Sequence, residues 1–251
     1  MTSPFYTSPE QLVRDRSEYA RKGIARGRSV VVVTYADGIL FVAENPSRTL
    51  HKVSEIYDRI AFAAVGRYPE FETLRVAGVR YADTRGYSYD RRDVTGRGLA
   101  NAFAQTLGSI FIESAKPFEV EVVVAELGDS DETDQMYRLF YDGSVTDEHQ
   151  FVAMGGQSEA ITTYVREHHR SGLPLDEAVS LAYKGLMAGA PTPPNGEAVV
   201  PLSAGSLEVA VMERSRPRRT FRRLAGAELG GLIAGAGGDA DTTAPDSAEP
   251  A

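Results

Sequence analysis

Residues 29–43 have the sequence SVVVVTYADGILFVA, and this stretch decides the fold. β-Branched and aromatic residues fill both of its halves, and the Ala-Asp-Gly at 36–38 is a turn signal. We therefore predict a β-hairpin with strands at 30–35 and 39–43. The strands are apolar almost throughout, with no polar alternation, which indicates a sheet that is covered on both faces.

Outside the hairpin, strands come in blocks and helices come in pairs. Apolar residues at helical spacing predict helices after Pro69, from about Leu99 to before Pro117, across 158–169 and after Pro174. Further strands are predicted at 51–56, 60–65, 118–127, 136–141, 150–154 and 206–212, with an Arg-rich strand around Phe221. This order lacks the alternation of a parallel sheet. The predicted fold class is α+β, a four-layer αββα sandwich of two antiparallel sheets.

The two ends of the chain differ in character. Ser8-Pro9-Glu10-Gln11 combines an N-cap, a proline in the first turn and a capping-box glutamine, so a helix is predicted at about 9–24. Its apolar face is thin, which suits a subunit contact. From Gly235 the composition is Gly, Ala, Asp, Thr and Pro, typical of a disordered tail. We expect an N-terminal segment at 1–9, one domain at 8–234 and an acidic tail at 235–251.

Composition limits the possible functions. The 251 residues include no cysteine and four scattered histidines, so disulfides and thiolate chemistry are excluded, and no cofactor or structural metal is expected. No apolar run is long enough to span a bilayer, and the first residues do not resemble a signal peptide, so we expect a cytoplasmic protein without a membrane partner. The net charge of −8 argues against a general nucleic-acid binder.

Three local patterns have alternative interpretations. An arginine cluster could dock on phosphate or form a charged turn and strand facing solvent or a neighbouring subunit's acids; its members are Arg214, Arg216, Arg218, Arg219, Arg222 and Arg223. His168 and His169 are adjacent on a predicted helix, so they are poorly placed to bind one metal ion. The acidic run at 129–134 lacks the turn glycine of a calcium loop, which favours a charged hairpin loop.

Several blocks of the sequence resemble one family. They occur in the family's order, between about Ser8 and Leu224: YARKGIARG at 19–27, SVVV at 29–32, ADGILFVA at 36–43, KPFEV at 116–120 and FYDGS at 140–144. The blocks YADTRGY at 81–87 and YDRRDVTGR at 89–97 are similar to its actinobacterial branch. On these residues the chain is identified as resembling the α-type subunits of the proteasome core particle.

The resemblance implies a fold, an assembly and partners. The fold is the αββα sandwich of the N-terminal-nucleophile hydrolases. The assembly is a homo-heptameric ring of neighbouring α subunits that caps rings of catalytic β subunits. A hexameric regulatory ATPase is the further partner expected, and no nucleic acid is expected.

The resemblance also implies that this chain is not catalytic. Catalytic relatives use an N-terminal threonine at the start of the first strand, activated by its own amine and a nearby lysine. Here Arg28 falls at that position and Glu44 falls near the place of the acidic partner, so we expect no catalytic residue. The alternative is a threonine peptidase or amidohydrolase of the same fold that uses Thr2, exposed by removal of Met1, or a group that the sequence does not identify.

Three residues match the family's docking site for the C-terminal carboxylate of the ATPase. Lys52 matches a lysine that contacts the carboxylate, Gly66 matches a small residue where a side chain would obstruct the peptide, and Arg21 matches a basic helix residue nearby. Spacing alone would favour a solvated lysine at a strand edge, a turn glycine and an exposed helical arginine, and the resemblance is what selects the docking role.

The first nine residues are expected to form the axial gate. The family has a Tyr-Asp-Arg cluster before the turn proline, whereas this chain has Phe5-Tyr6-Thr7 before Pro9, so the ionic contacts of that cluster are absent. We therefore expect Phe5, Tyr6 and Pro9 to form the gate, with aromatic side chains closing a pore by packing against their symmetry mates.

Overall fold

The computed structural model describes residues 8–190 and 200–238. The helices are α1 (Pro9–Ala25), α2 (Tyr68–Ser88), α3 (Gly96–Glu113), α4 (Ser158–His168), α5 (Leu175–Ala188) and α6 (Gly226–Gly235). The strands are β1 (Val30–Tyr35), β2 (Gly38–Glu44), β3 (Val53–Tyr57), β4 (Ile60–Gly66), β5 (Val120–Glu126), β6 (Gln135–Leu139), β7 (Val145–Glu148), β8 (Phe151–Met154), β9 (Leu207–Glu213) and β10 (Phe221–Leu224).

These strands form two five-stranded antiparallel sheets. The first has the order β10-β9-β2-β1-β8 and the second has the order β3-β4-β5-β6-β7. The predicted hairpin is confirmed, since Val30 pairs with Ala43 and Tyr35 pairs with Gly38. Glycine is required at the turn, because a Cβ on Gly38 would lie 1.8 Å from the Met212 carbonyl oxygen of β9.

The faces of β1 show how the four layers arise. Val30 and Val32 lie in the core between the two sheets, while Val31 and Val33 face a second core under α4, α5 and α6. The second sheet is covered on its outer face by α2 and α3, through a third core that includes Phe62 and Phe103. The αββα prediction is therefore confirmed. None of the helices within the described ranges is long and apolar enough to cross a bilayer.

Helix α1 stands at the end of this sandwich. Its N-cap is Ser8, whose Oγ accepts the Gln11 backbone N–H at 3.2 Å. The Gln11 side chain does not complete the expected capping box but donates to Asp15 Oδ1 at 2.6 Å. Only the last turns pack deeply, with Ala20 and Ile24 in the core between the sheets. The first turns remain exposed, as expected for a helix that contacts another subunit.

Two elements were not predicted. Strand β7 has the sequence VTDE and lies exposed at a sheet edge, so it has no buried face to give it an apolar period. Helix α6 is rich in glycine, a poor helix former, and forms because Leu229 and Ile233 pack into the core under α5. Ala236 is also buried there, so ordered structure extends past the expected tail boundary at Gly235. Residues 239–251 of the expected tail lie outside the described residues.

Candidate functional site

The connection between α1 and β1, residues 26–29, is held at one end of both sheets. The Gly27 N–H donates to the Ile24 carbonyl at 2.8 Å, and the Gly27 carbonyl accepts the Gly156 N–H at 3.3 Å. The carbonyl of buried Ser29 accepts the Glu44 N–H at 3.0 Å. The connection is therefore tied to β2 and to the turn after β8.

Lys52 lies against this connection. It immediately precedes β3, its side chain is half-buried, and its Nζ donates to the Arg28 carbonyl oxygen at 2.6 Å. Its backbone N–H donates to Glu208 Oε2 at 2.8 Å, and its backbone carbonyl accepts the Ala64 N–H at 3.0 Å. Main chain and side chain are thus both fixed, although among residues 8–190 and 200–238 the ammonium group donates only to a neutral carbonyl.

This environment changes the titration of Lys52. Burial disfavours the charged ammonium and lowers the pKa of Lys52 to about 8. That pKa already includes smaller contributions from nearby charges: Glu44 and Glu208 raise it, and Arg28 lowers it. A carboxylate placed at the ammonium would raise the pKa again, so the site is suited to an anionic group.

Arg28 and Glu44 form an ion pair beside Lys52. The distance from Arg28 Nε to Glu44 Oε1 is 3.0 Å, and 56% of the Arg28 side chain is exposed. These are the residues that sequence reasoning placed at the nucleophile and near its acidic partner. Their arrangement supplies no nucleophilic hydroxyl, and the backbone nitrogen of Arg28 belongs to a peptide bond. The arrangement can bind a charged group but lacks the parts of an N-terminal-nucleophile site.

Gly66 is the last residue of β4 and lies close to the same connection. A Cβ placed on Gly27 would come within 3.2 Å of the Gly66 nitrogen. Gly66 has a φ of +111°, and its own Cβ would lie 1.9 Å from the Glu119 carbonyl oxygen. A side chain at 66 therefore meets the β5 backbone, so the pairing of β4 with β5 already requires glycine here.

The remaining predicted site residues are not brought to Lys52. Arg21 is exposed on α1, where its Nε donates to the Tyr141 hydroxyl at 2.9 Å. It lines a separate groove of about 370 Å³ together with Ile24 and Glu121. Pro9 is the first residue of α1, whereas Phe5 and Tyr6 lie outside the described residues.

The arginine cluster is largely neutralised by acids of the same chain. Four arginines form five ion pairs: Arg214 with Asp134, Arg219 with Glu55, Arg222 with Glu213 and Glu228, and Arg223 with Glu208. The expectation that these side chains face solvent or a neighbour's acids was therefore wrong for Arg214, Arg222 and Arg223, whose side chains are at most 35% exposed, whereas Arg219 is 73% exposed and does face solvent. The pairing also reduces the cationic charge available to a phosphate-binding site.

Glu208 is the residue that sequence reasoning missed. It lies in β9 with only 8% of its surface exposed, and it contacts the segment that carries Lys52. A signal was present in the sequence, because Glu208 interrupts the otherwise apolar run of residues 207–212. A buried carboxylate in a strand needs several hydrogen-bond donors around it.

Comparison with known proteins assigns the family. A family model described as a proteasome subunit matches residues 24–193. The proteasome subunit alpha of Frankia casuarinae is 66% identical over 237 residues, 93% of this chain and 98% of that protein. That of Saccharopolyspora erythraea is 66% identical over 233 residues, 93% of this chain and 89% of that protein. That of Kineococcus radiotolerans is 63% identical over 237 residues, 94% of this chain and 100% of that protein. The chain therefore belongs to the proteasome subunit family, among the alpha subunits of actinobacteria.

Proposed function

We propose that this chain forms the heptameric outer ring of a cytoplasmic proteasome core, gates substrate entry and docks a hexameric regulatory ATPase. Catalysis then resides in the β subunits with which the ring assembles. The observation that carries the proposal is the half-buried Lys52 ammonium at the α1–β1 connection, which donates to a neutral carbonyl oxygen.

Lys52 has the chemistry that a docking site for a C-terminus requires. A terminal carboxylate offers an ionised acceptor, and a charge-assisted hydrogen bond is roughly twice as strong as a neutral one. Exchange of the Arg28 carbonyl for a carboxylate therefore stabilises the ammonium. The Arg28 carbonyl belongs to the connection that follows α1, so carboxylate docking would act close to the helix that bears the proposed gate segment.

The docking proposal is tested with the assembled core particle. The probe is a short peptide with the C-terminal sequence of the organism's own regulatory ATPase, prepared with a free carboxylate and as a carboxamide. Lys52→Ala should abolish stimulation of peptide hydrolysis by the carboxylate form and leave basal hydrolysis unchanged. The matched control is Lys22→Ala, since Lys22 is an exposed α1 lysine paired only with Glu18 on the surface. Equal stimulation of Lys52→Ala and wild type would refute docking at Lys52.

The gate proposal is tested by deleting residues 2–7, which keeps the Ser8 cap of α1. Basal hydrolysis of a small peptide by the assembled particle should rise, because the proposed plug of Phe5 and Tyr6 is removed. A rate equal to that of the full-length particle would contradict a gate in this segment.

Two observations support a non-catalytic role. The peptide bond between Gly27 and Arg28, just ahead of β1, leaves no free amine at position 28, and the Ala20 and Ile24 side chains of α1 are part of the core between the sheets. We expect the isolated chain to hydrolyse no peptide, and intact-mass measurement to find no mature form that begins near Val30. Native mass spectrometry with a co-expressed β subunit should give seven copies of this chain per outer ring.

A further inference from the structure

Glu208 gathers four hydrogen-bond donors and one imidazole nitrogen around one buried carboxylate. Its Oε2 accepts the Lys52 N–H and Asn45 Nδ2, both at 2.8 Å. Its Oε1 accepts the Val53 N–H at 3.3 Å, lies 3.2 Å from His51 Nδ1 and is paired with Arg223. Apart from Arg223, every donor belongs to residues 45–53, the segment that connects β2 to β3.

The same segment is ordered by short-range contacts within itself. Asn45 Nδ2 also donates to the Leu50 carbonyl at 2.7 Å, and Asn45 Oδ1 accepts the Ser47 N–H at 3.1 Å. Ser47 Oγ accepts the Leu50 N–H at 3.0 Å. These bonds shape the turn, and the Lys52 end of the segment is joined to β9 through the Glu208 side chain. Glu208 therefore fixes where the Lys52 main chain leaves the turn.

We propose that Glu208 is the positioning residue of the docking site, and that its buried carboxylate holds the 45–53 segment so that Lys52 meets the C-terminal carboxylate of the partner. This inference rests on the proposed docking function of Lys52. Glu208 itself does not touch the incoming carboxylate, since its two oxygens are occupied by donors of this chain.

A glutamine could not replace this carboxylate. Both oxygens of the Glu208 carboxylate accept hydrogen bonds, whereas an amide offers one acceptor oxygen and one NH₂ group that donates. An NH₂ group in place of Oε2 would leave the Lys52 N–H without its acceptor, and an NH₂ group in place of Oε1 would leave the Val53 N–H without its acceptor. A buried donor without an acceptor is costly, so the segment is expected to shift and carry Lys52 away from its position.

The charge of Glu208 gives a second effect that packing alone cannot produce. The charged groups that act on the Lys52 ammonium are Arg28 on the α1–β1 connection, Glu44 on β2 and Glu208 on β9. His51 and Arg223 contact Glu208 directly. Because the negative charge of Glu208 raises the pKa of Lys52, its loss should lower that pKa and move the pH midpoint of docking to lower pH.

The experiment compares three variants of the assembled particle with wild type: Glu208→Gln, Asp134→Asn and Lys52→Ala. Asp134 is a matched control, because its carboxylate is fully buried, accepts the Gly128 N–H and pairs with an arginine. It follows β5 at the Ile60 end of β4, away from Gly66. The readouts are thermal midpoint, binding of the carboxylate peptide by fluorescence anisotropy, and the pH midpoint of that binding.

We expect both buried-carboxylate variants to lower the thermal midpoint, while only Glu208→Gln weakens peptide binding, by about tenfold, and shifts its pH midpoint downward. Wild-type affinity in Glu208→Gln, or equal weakening in Asp134→Asn, would overturn the positioning role and leave Lys52 docking intact. Wild-type affinity in Lys52→Ala would overturn both. If Glu208→Gln fails to assemble, Asn45→Ala and Arg223→Lys replace it, since each changes one partner of the Glu208 carboxylate. Both are expected to weaken peptide binding more than Asp134→Asn does.

Discussion

Docking of a carboxylate at Lys52 should weaken as the pH rises through about 8. In the docking proposal the free particle binds the peptide through the ammonium form, and burial lowers the pKa of Lys52 to about 8. The carboxylate favours the ammonium, so the pKa of Lys52 in the complex lies above that in the free particle. Affinity is therefore full well below pH 8 and falls between the two pKa values, up to tenfold for each pH unit.

The size of the effect follows from the fraction of Lys52 that carries a proton. At about pH 7 roughly nine-tenths of the lysines are charged, and at about pH 9 roughly one-tenth are, so the dissociation constant should rise about tenfold over this interval. The same shift has a definite sign for folding. Since the folded pKa lies below the unfolded one, the stability contributed by Lys52 increases from about pH 8 to pH 10.5 and is lowest below pH 8.

The assay is fluorescence anisotropy of the labelled carboxylate peptide on the assembled particle, at constant ionic strength from about pH 6.5 to pH 9.5. Lys52→Arg is the control, because a guanidinium stays charged across this range and should remove the pH dependence even if the affinity changes. The carboxamide peptide should bind weakly at every pH. A wild-type affinity that is flat across the range, or a slope of equal size in Lys52→Arg, would refute the assignment of the titration to Lys52.

Three further predictions concern stability. Gly66→Ala should lower the free energy of unfolding by more than about 3 kcal/mol, because the added Cβ would clash with the Glu119 backbone. The control Gly172→Ala, at a φ of +73° with no atom within 4 Å of the added Cβ, should show only the cost of backbone strain. Equal losses in chemical denaturation would contradict the steric argument. Arg214→Ala leaves the buried Asp134 carboxylate without its ion-pair partner and should lower the free energy of unfolding by about 3–5 kcal/mol. Arg219→Ala removes a side chain that is 73% exposed and should leave the denaturation midpoint unchanged. Similar midpoints for the two variants would be inconsistent with burial of the Arg214–Asp134 pair. Ser8→Ala removes the α1 cap and should destabilise the start of the helix by about 1 kcal/mol. The measurement is hydrogen exchange, which should become faster only in the first turns of α1. Unchanged exchange there would argue against the cap.

Much of the fold could be read from the sequence, because its main elements carry strong local signals. The β1–β2 hairpin combines two apolar strands with a turn that only glycine fits, and Ser8 caps α1 as its side-chain chemistry predicts. The elements that were missed lack such signals. Strand β7 is an exposed edge, and α6 overcomes its glycine content through tertiary packing that no local pattern encodes.

The candidate site was less predictable, since it depends on residues that are distant in sequence. Lys52 was selected through family resemblance, but its contact with the Arg28 carbonyl and its support by Glu208 link positions 24 and 156 residues apart. The sequence prediction required glycine at 66 because a side chain there would obstruct a docked peptide. In the structure glycine is required because a Cβ would meet the Glu119 backbone, a contact that depends on the β4–β5 register. The arginine cluster could not be interpreted from sequence because its acidic partners come from β3, β9, α6 and the β5–β6 loop.

The unbroken peptide link at Arg28 also limits how this polypeptide could be redesigned. To install a cutting centre at the start of β1, an engineer would have to sever the backbone there to liberate an amine. That cleavage would release the helix whose Ala20 and Ile24 seal the space between the sheets. Point substitutions alone therefore cannot turn this scaffold into a hydrolase of the N-terminal-nucleophile type.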